Sequence, residues 1–254
     1  MIGVTPSPLR AEPRELAARA ELAPPAPRVP LPARSVGSPT DGSLEGGVPV
    51  KQSAELRLRW PAGPRWGLPE LVSLLERAAL AVDRQFPGSI LLVGDLSRRE
   101  GGSLSGHVSH ESGRDADVGF YYSDERGRSV RTPRLLPVTA AGTVPAADGL
   151  RFDEARNWAL IEAFLRDSNV SVQRIFIAER LERRLLDYAR RQGIEPEIVE
   201  RAAVTMQTPG SGSPHDNHLH VRIACPEEQE GVCISGPAPV ARRDRTAKLE
   251  PRAR

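Results

Sequence analysis

The five histidines of this chain fall into two short clusters, and this distribution is the strongest chemical signal in the sequence. His107 and His110 form the first cluster, and His215, His218 and His220 form the second. A single histidine is more often structural than functional. Two clusters that together contain every histidine favour a site that binds a metal ion or transfers protons, the two properties of imidazole near neutral pH.

The second cluster ends in a segment, residues 218–223, that alternates polar and apolar side chains and is predicted to be a strand. Alternate side chains of a strand point to the same face, so His218, His220 and Arg222 share one face. The apolar side chains between them then point into the core. Two imidazoles on the polar face of a strand can serve a metal or acid–base site.

The first cluster lies in a polar, Gly-rich segment, residues 101–113, which is predicted to be a loop. Residues 116–122 alternate and are predicted to form the following strand. The same parity puts Asp115 and Asp117 on one face. Asp117 comes seven residues after His110.

His110, Asp117 and one histidine of the second cluster would form a set of two imidazoles and one carboxylate. Such a set, with an open fourth position, is how catalytic zinc is held. Non-haem iron accepts the same three ligands, so both metals remain open at this point. The helical zinc motif HExxH is absent from the sequence, which predicts a different layout for any metallohydrolase here.

A nucleophilic mechanism has less support. Cys225 and Cys233 are the only cysteines and lie eight residues apart, which favours a small disulfide loop over a Cys–His nucleophile. A persistent disulfide indicates an oxidising compartment. The serine motif GxSxG is absent from the sequence.

The elements that must position these residues mix helices and strands without regular alternation. Helices are predicted at 68–86, 153–167 and 179–192, and further strands at 89–94 and 172–177. This order favours an α+β fold with a central antiparallel sheet that carries the metal site and is flanked by helices.

Composition divides the 254 residues into three regions. Residues 1–34 are rich in Pro, Ala and Arg and are predicted to be a disordered linker. Residues 35–236 are predicted to form the catalytic domain, and residues 237–254 a disordered basic tail. No apolar run is long enough for a transmembrane helix, and the first residues lack the apolar core of a signal peptide.

Charge argues against a nucleic-acid partner. The net charge is +2, and residues 241–254 hold six basic and two acidic residues, so the rest of the chain sums to −2. A polyanion-binding protein carries its basic excess on the folded body.

The pattern His110-x-x-Gly113-x-x-x-Asp117, followed far downstream by His218-x-His220, resembles that of the LAS-type zinc metallopeptidases. More narrowly, the chain resembles the penicillin-insensitive murein endopeptidases from Ser35 to Cys233. The further matching segments are residues 35–42, Gly94-Asp95, His107-Val-Ser-His110, Gly113-Arg-Asp115-Ala-Asp117, residues 174–177, residues 215–222 and Cys225-Pro226. Residues 122–150 depart most from the family pattern.

The resemblance implies zinc as the cofactor, with His110, Asp117 and His220 as its ligands. It also implies that His218 is the catalytic base or an oxyanion partner and that His215 assists it.

The remaining polar residues of the two clusters have less defined roles. The family has a histidine at the position of His107, whose role can be a second metal, substrate contact or structure. Asp115 is expected to orient a ligand or to belong to such a second metal site. Arg222 is expected to meet a substrate carboxylate where it reaches the cleft.

The function implied by the resemblance is hydrolysis of D,D-crosslinks between peptidoglycan stem peptides by a periplasmic or secreted zinc endopeptidase. The alternatives are a D,D- or L,D-carboxypeptidase of the same fold and an inactive, zinc-containing peptidoglycan-binding domain. A base beside the metal ligands argues against the inactive alternative, since binding alone needs none.

Overall fold

The computed structural model describes residues 32–210 and 214–236. The predicted tail at 237–254 lies outside the described residues, as does nearly all of the predicted linker at 1–34. Both stay predictions. The first strand begins at Arg34, beside the predicted start of the catalytic domain.

The helix predicted at 68–86 is confirmed as α1, which begins at Pro69 and ends at Gln85. Proline suits the first helical position because its missing N–H has no partner there in any helix. The apolar face found in the sequence is the buried face: Leu71, Val72, Leu74, Leu75, Ala78, Ala79 and Val82. Burial of this face in the hydrophobic core, with α2 as the main neighbour, fixes the helix.

Three further helices complete the helical layer. They are α2 (Glu154–Arg166), α3 (Glu179–Arg191) and α4 (Pro196–Thr205). The Asp153 carboxylate accepts a hydrogen bond from the Arg156 backbone N–H at 2.9 Å and so caps α2. The predicted helices at 153–167 and 179–192 are confirmed to within a residue at each end. α4 was not among the predicted helices, although it begins with Pro196; it is short and buries only four of its ten residues.

Six strands form the central sheet in the spatial order β12-β11-β13-β7-β6-β4. Their bounds are β4 (Leu56–Leu58), β6 (Leu91–Val93), β7 (Asp115–Gly119), β11 (Val172–Phe176), β12 (Met206–Gln207) and β13 (His218–Ile223). The four inner strands pair antiparallel, whereas the outer strands β12 and β4 pair parallel to their neighbours. The predicted α+β fold is confirmed, with a mixed sheet whose centre is antiparallel.

The register of β13 against β7 brings the two histidine clusters together. His220 lies opposite Asp117, Arg222 opposite Asp115, and His218 opposite Gly119. The intervening side chains of both strands, among them Val118 and Val221, are fully buried in the core. The alternation therefore correctly assigns His218, His220 and Arg222 to the face opposite the buried core side chains.

Seven short strands lie outside this sheet. They are β1 (Arg34–Ser38), β2 (Asp41–Glu45), β3 (Val48–Pro49), β5 (Trp66–Gly67), β8 (Tyr122–Ser123), β9 (Ser129–Val130) and β10 (Arg151–Phe152). β1 and β2 form an N-terminal hairpin, β3 pairs with β5, and β8 pairs with both β9 and β10. None of the helices within the described residues is both long and apolar enough to cross a membrane.

The predicted disulfide between Cys225 and Cys233 is confirmed, and its loop holds the N-terminal hairpin. The Gln229 side chain in this loop accepts a hydrogen bond from the Ser35 N–H at 2.8 Å. The Gly37 N–H donates to the Val232 carbonyl at 2.9 Å. The disulfide therefore stabilises the hairpin as well as the end of β13.

The hairpin in turn supports the loop that carries the first histidine cluster. The Gly102 N–H donates to the Gly42 carbonyl at 3.2 Å, and the Glu111 N–H donates to the Pro39 carbonyl at 3.2 Å. Glu111 directly follows His110. A chain of backbone contacts thus runs from the disulfide to His110.

We expect the double variant Cys225→Ser/Cys233→Ser to unfold more easily than the wild type. The chain-entropy model gives a loop of this length roughly 2–3 kcal/mol of stability. At about 2–4 °C per kcal/mol, the midpoint of thermal unfolding should fall by about 4–12 °C. A metal ion bound through His110 should also dissociate faster, because the hairpin held by the disulfide loop supports the loop that carries His110. An unchanged unfolding midpoint, or two alkylated thiols in non-reduced wild-type protein, would contradict this expectation.

Candidate metal centre

Two site histidines have unusual backbone conformations. His110 has φ of 75° and His215 has φ of 42°, and they are the only non-glycine residues with positive φ in the described part of the chain. This region costs free energy for any residue with a Cβ, and such strain concentrates at functional sites. The surrounding structure therefore holds the backbone of both histidines in a conformation that they would not adopt on their own.

His110 is fully buried and presents one nitrogen to the site. Its Nδ1 lies 3.0 Å from the Leu96 carbonyl oxygen. Since a carbonyl can only accept, Nδ1 carries the proton and Nε2 has the free lone pair. Nε2 is buried without a hydrogen-bond partner within the described structure and lies 3.3 Å from Asp117 Oδ1. A buried, unpaired imidazole nitrogen is what a metal ligand requires.

His220 is held in the complementary way from the other strand. Its Nε2 lies 2.7 Å from Oδ1 of Asp115, a fully buried carboxylate. Burial alone would raise the pKa of Asp115, but His220 and Arg222 lower it, so the carboxylate is ionised and accepts the Nε2 proton. The lone pair of Nδ1 then faces Asp117. Burial lowers the pKa of His220, which keeps the imidazole neutral, as a ligand must be.

Three imidazole nitrogens converge on one oxygen of Asp117. Its Oδ1 lies 3.3 Å from His110 Nε2, 3.3 Å from His218 Nε2 and 3.5 Å from His220 Nδ1. None of these contacts has hydrogen-bond geometry, and Oδ1 is buried without a partner among the described residues. Burial would raise the pKa of Asp117, but His110 holds it well below its usual range. The position between these atoms suits a cation.

The same attraction acts on His110. Burial alone would lower the pKa of His110, but Asp117 outweighs it and raises the pKa. Metal binding at Nε2 would therefore release a proton.

His107 joins the site from the other side of Asp117. Its Nε2 lies 3.1 Å from Asp95 Oδ2, and its Nδ1 lies 3.8 Å from Asp117 Oδ2. His107, His110 and Asp117 offer ligand atoms that all lie within 4.8 Å of one another, so these three could hold a metal. The predicted set of His110, Asp117 and His220 remains a prediction.

Arg222 lies two residues after His220 on β13 and contacts Asp115. Its Nε donates to Asp115 Oδ1 at 2.6 Å, and its side chain is only 12% exposed. The guanidinium lies over the Phe176 ring at 5.7 Å. Arg222 therefore holds the carboxylate that orients His220, and its predicted contact with substrate stays a prediction.

His218 and His215 lie at the mouth of the site. His218 Nδ1 is hydrogen-bonded to Oδ1 of Asn217, and its side chain is 15% exposed. The His215 ring centroid lies 4.9 Å from that of His218 and 5.6 Å from that of His220. The Ala178 N–H donates to the His215 carbonyl at 2.9 Å and fixes its backbone. Both second-cluster histidines predicted to be catalytic thus lie beside the cation position.

Three residues that contact the site histidines were not predicted to have a role in the site. Asp95 orients His107, the Leu96 carbonyl sets the tautomer of His110, and Asn217 contacts His218. Asp95 does lie in the Gly94-Asp95 segment that matches the family, which is the one signal that could have identified it. A backbone carbonyl such as that of Leu96 leaves no signal in a sequence.

The site combines imidazole nitrogens with a buried carboxylate oxygen that has no hydrogen-bond partner, on the polar face of the sheet of an α+β fold. Such a set is typical of metal-dependent hydrolases. Comparison of the whole sequence with protein families identifies the family. Residues 35–247 match the model of the penicillin-insensitive murein endopeptidases, and the chain belongs to this family. The resemblance seen in the motifs is confirmed.

Relatives that carry the name penicillin-insensitive murein endopeptidase are distant in sequence. The protein of Yersinia enterocolitica is 26% identical over 201 residues, which cover 77% of this chain and 67% of the relative. That of Pectobacterium atrosepticum is 28% identical over 210 residues, covering 77% and 66%. That of Escherichia coli O1:K1 is 26% identical over 205 residues, covering 79% and 69%. The chain thus spans about two thirds of the length of these relatives.

Proposed function

We propose that the protein is a zinc metalloendopeptidase that hydrolyses D,D-crosslinks between peptidoglycan stem peptides. The observation that carries the proposal is the pair of buried atoms without hydrogen-bond partners, His110 Nε2 and Asp117 Oδ1, which lie 3.3 Å apart. Leaving two such atoms unpaired is costly unless a cation completes them. Family membership supports murein as the substrate.

The ligands proposed for the zinc are His110, Asp117 and His220. Each imidazole has its outer nitrogen engaged, by the Leu96 carbonyl or by Asp115, and directs the other nitrogen towards Asp117 Oδ1. Two imidazoles and a carboxylate fit zinc and leave a fourth position for the reaction. A zinc ion held by these residues would supply Lewis-acid activation of the scissile carbonyl and of water.

His218 is proposed as the general base. Its Nδ1 faces the Asn217 amide oxygen, an acceptor, so Nδ1 carries the proton and Nε2 has the lone pair. Nε2 is directed at the cation position and can take a proton from water there. The same nitrogen can then return the proton to the leaving amine. His215, whose ring is 4.9 Å from that of His218, assists by holding it in place.

The proposed location is the periplasm or the extracellular space. Murein lies outside the cytoplasmic membrane, and a disulfide persists in oxidising compartments. The Cys225–Cys233 disulfide is consistent with this location.

The test is incubation of purified, zinc-loaded protein with crosslinked muropeptides, with and without a chelator. We expect crosslinked dimers to be converted to monomers, chelation to stop the reaction, and added zinc to restore it. Release of a terminal D-alanine alone would instead identify a carboxypeptidase. Binding of the muropeptides without cleavage would identify an inactive binding domain.

A further inference from the structure

Residues 135–138 run beside the candidate metal centre and belong to the part of the chain that departs most from the family pattern. Leu135 packs over Gly94 and Gly119. A Cβ on Gly94 would lie 3.7 Å from Leu135 Cδ1 and 3.2 Å from Asp117 Cβ. A Cβ on Gly119 would lie 3.1 Å from Leu135 Cδ2. Leu135 therefore lies next to Asp117, on the sheet face that carries the site.

The two glycines are required here for space. Neither has a positive φ, so any residue could adopt their backbone conformations. A Cβ on Gly119 would press on Leu135, whereas a Cβ on Gly94 would press on the Asp117 Cβ and meet Leu135 only at an ordinary contact distance. Leu135 itself is only partly buried, so part of it remains accessible for contact with a ligand.

Residues 135–138, called here the cleft wall, are anchored at both ends. The Tyr122 hydroxyl donates to the Leu136 carbonyl at 2.9 Å and accepts from the Leu136 N–H at 3.2 Å. Burial raises the pKa of Tyr122 to about 12, so the hydroxyl keeps its proton at neutral pH. The first anchor therefore joins the wall to β8.

The second anchor joins the cleft wall to the loop that carries His215. The Val138 N–H donates to the Asp216 carbonyl at 2.8 Å. Arg180 Nη2 donates to the Val138 carbonyl at 3.1 Å and to Asp216 Oδ2 at 2.8 Å. Leu135 is thus an apolar side chain held in a fixed position beside the reacting centre.

We propose that Leu135 forms the apolar wall of the substrate cleft and selects a small apolar residue on the acyl side of the scissile bond. This inference rests on the proposed function, in which that residue is D-alanine. In the proposed function the scissile carbonyl binds beside Asp117, one of the proposed metal ligands. The side chain next to that carbonyl would then lie within about one side-chain length of the sheet face on which Leu135 packs. A polar or charged side chain there would lose its hydration without gaining a partner.

The test compares two crosslinked dimers that differ only at this position, one with D-alanine and one with glycine. A single methyl group in an apolar pocket changes kcat/KM by about 10–200-fold, so we expect the wild type to prefer D-alanine by about 10-fold or more. Leu135→Ala should reduce this preference to within about 3-fold, mainly by raising KM for the D-alanine dimer, with zinc content unchanged.

Two control variants accompany Leu135→Ala. Leu135→Met conserves volume and should keep the preference. Ile234→Ala removes another partly exposed apolar side chain, near the disulfide, and should leave the preference unchanged. An unchanged preference in Leu135→Ala, or an equal loss of activity on both dimers, would overturn the inference and leave the proposed function standing. A wild type that cleaves neither dimer would overturn both.

Discussion

His220→Ala should lose its zinc, whereas His107→Ala should retain about one equivalent. Both imidazoles approach Asp117, but they face different oxygens of its carboxylate. His220 Nδ1 lies 3.5 Å from Oδ1, the buried oxygen that also faces His110 Nε2. His107 Nδ1 lies 3.8 Å from Oδ2, and the His107 side chain is 20% exposed. We therefore expect the metal that the two unpaired atoms would share to lie on the His220 side.

The expected effect is large. Removing a residue that merely orients a ligand costs about 10–100-fold in metal affinity, and removing a ligand costs more. After dialysis against a weak chelator, zinc should be nearly absent from His220→Ala and stoichiometric in His107→Ala. Elemental analysis of the purified variants measures this directly.

Two further variants calibrate the comparison. His110→Ala and Asp117→Ala should lose the metal whether His107 or His220 is the third ligand. Circular dichroism and thermal unfolding check that each variant folds. Zinc lost from His107→Ala and kept by His220→Ala would identify the compact group of His107, His110 and Asp117 as the ligand set. Zinc kept by both His110→Ala and Asp117→Ala would exclude this site altogether.

The strands that carry the site were predictable because their alternation is strong. In β13 every second residue is apolar and buried, so the pattern alone assigns His218 and His220 to one face. The same parity assigns Asp115 and Asp117. The pairing of β13 with β7 is a contact across about 100 residues, and no local pattern specifies it. The two clusters were combined by the ligand chemistry of two imidazoles and a carboxylate and by the resemblance to a family, not by periodicity.

The strands of the N-terminal hairpin, β1 and β2, were not predicted because their sequences carry little strand pattern. The five residues of β1 include only one apolar side chain, Val36, and β2 only Leu44. Their strand conformation depends on distant partners, such as Gln229 and Val232 in the disulfide loop. Tertiary hydrogen bonds override weak local preference here.

The orientation of the imidazoles could not be predicted from the sequence either. His107 and Asp95 lie in loops, where no periodicity relates side chains to one another. Arg222 was expected to meet a substrate carboxylate, and that contact stays a prediction. Its hydrogen bond to Asp115, which gives a buried carboxylate a compensating charge, was not foreseen. Parity identifies the face of a strand but not which side chains on that face bind each other.

His218→Ala should retain its zinc and yet lose about 10²–10⁴-fold in turnover, the usual contribution of a positioned base. His218 is directed at the cation position, with Nε2 at 3.3 Å from Asp117 Oδ1. It is nevertheless more exposed than His110 and His220, and its hydrogen-bond partner is the neighbouring Asn217. This placement suits proton transfer at the mouth of the site better than ligation within it.

Zinc content and the rate of muropeptide dimer cleavage, measured on the same preparations, separate the roles of His218 and His220. His218→Ala should keep the metal and lose turnover, while His220→Ala should lose both. Added imidazole should restore part of the activity of His218→Ala, because a free base can enter the space left by the side chain. It should not rescue His218→Ala if this residue only supports the fold. Loss of zinc from His218→Ala, with zinc retained by His220→Ala, would mean that His218 is the ligand and that the two assignments must be exchanged.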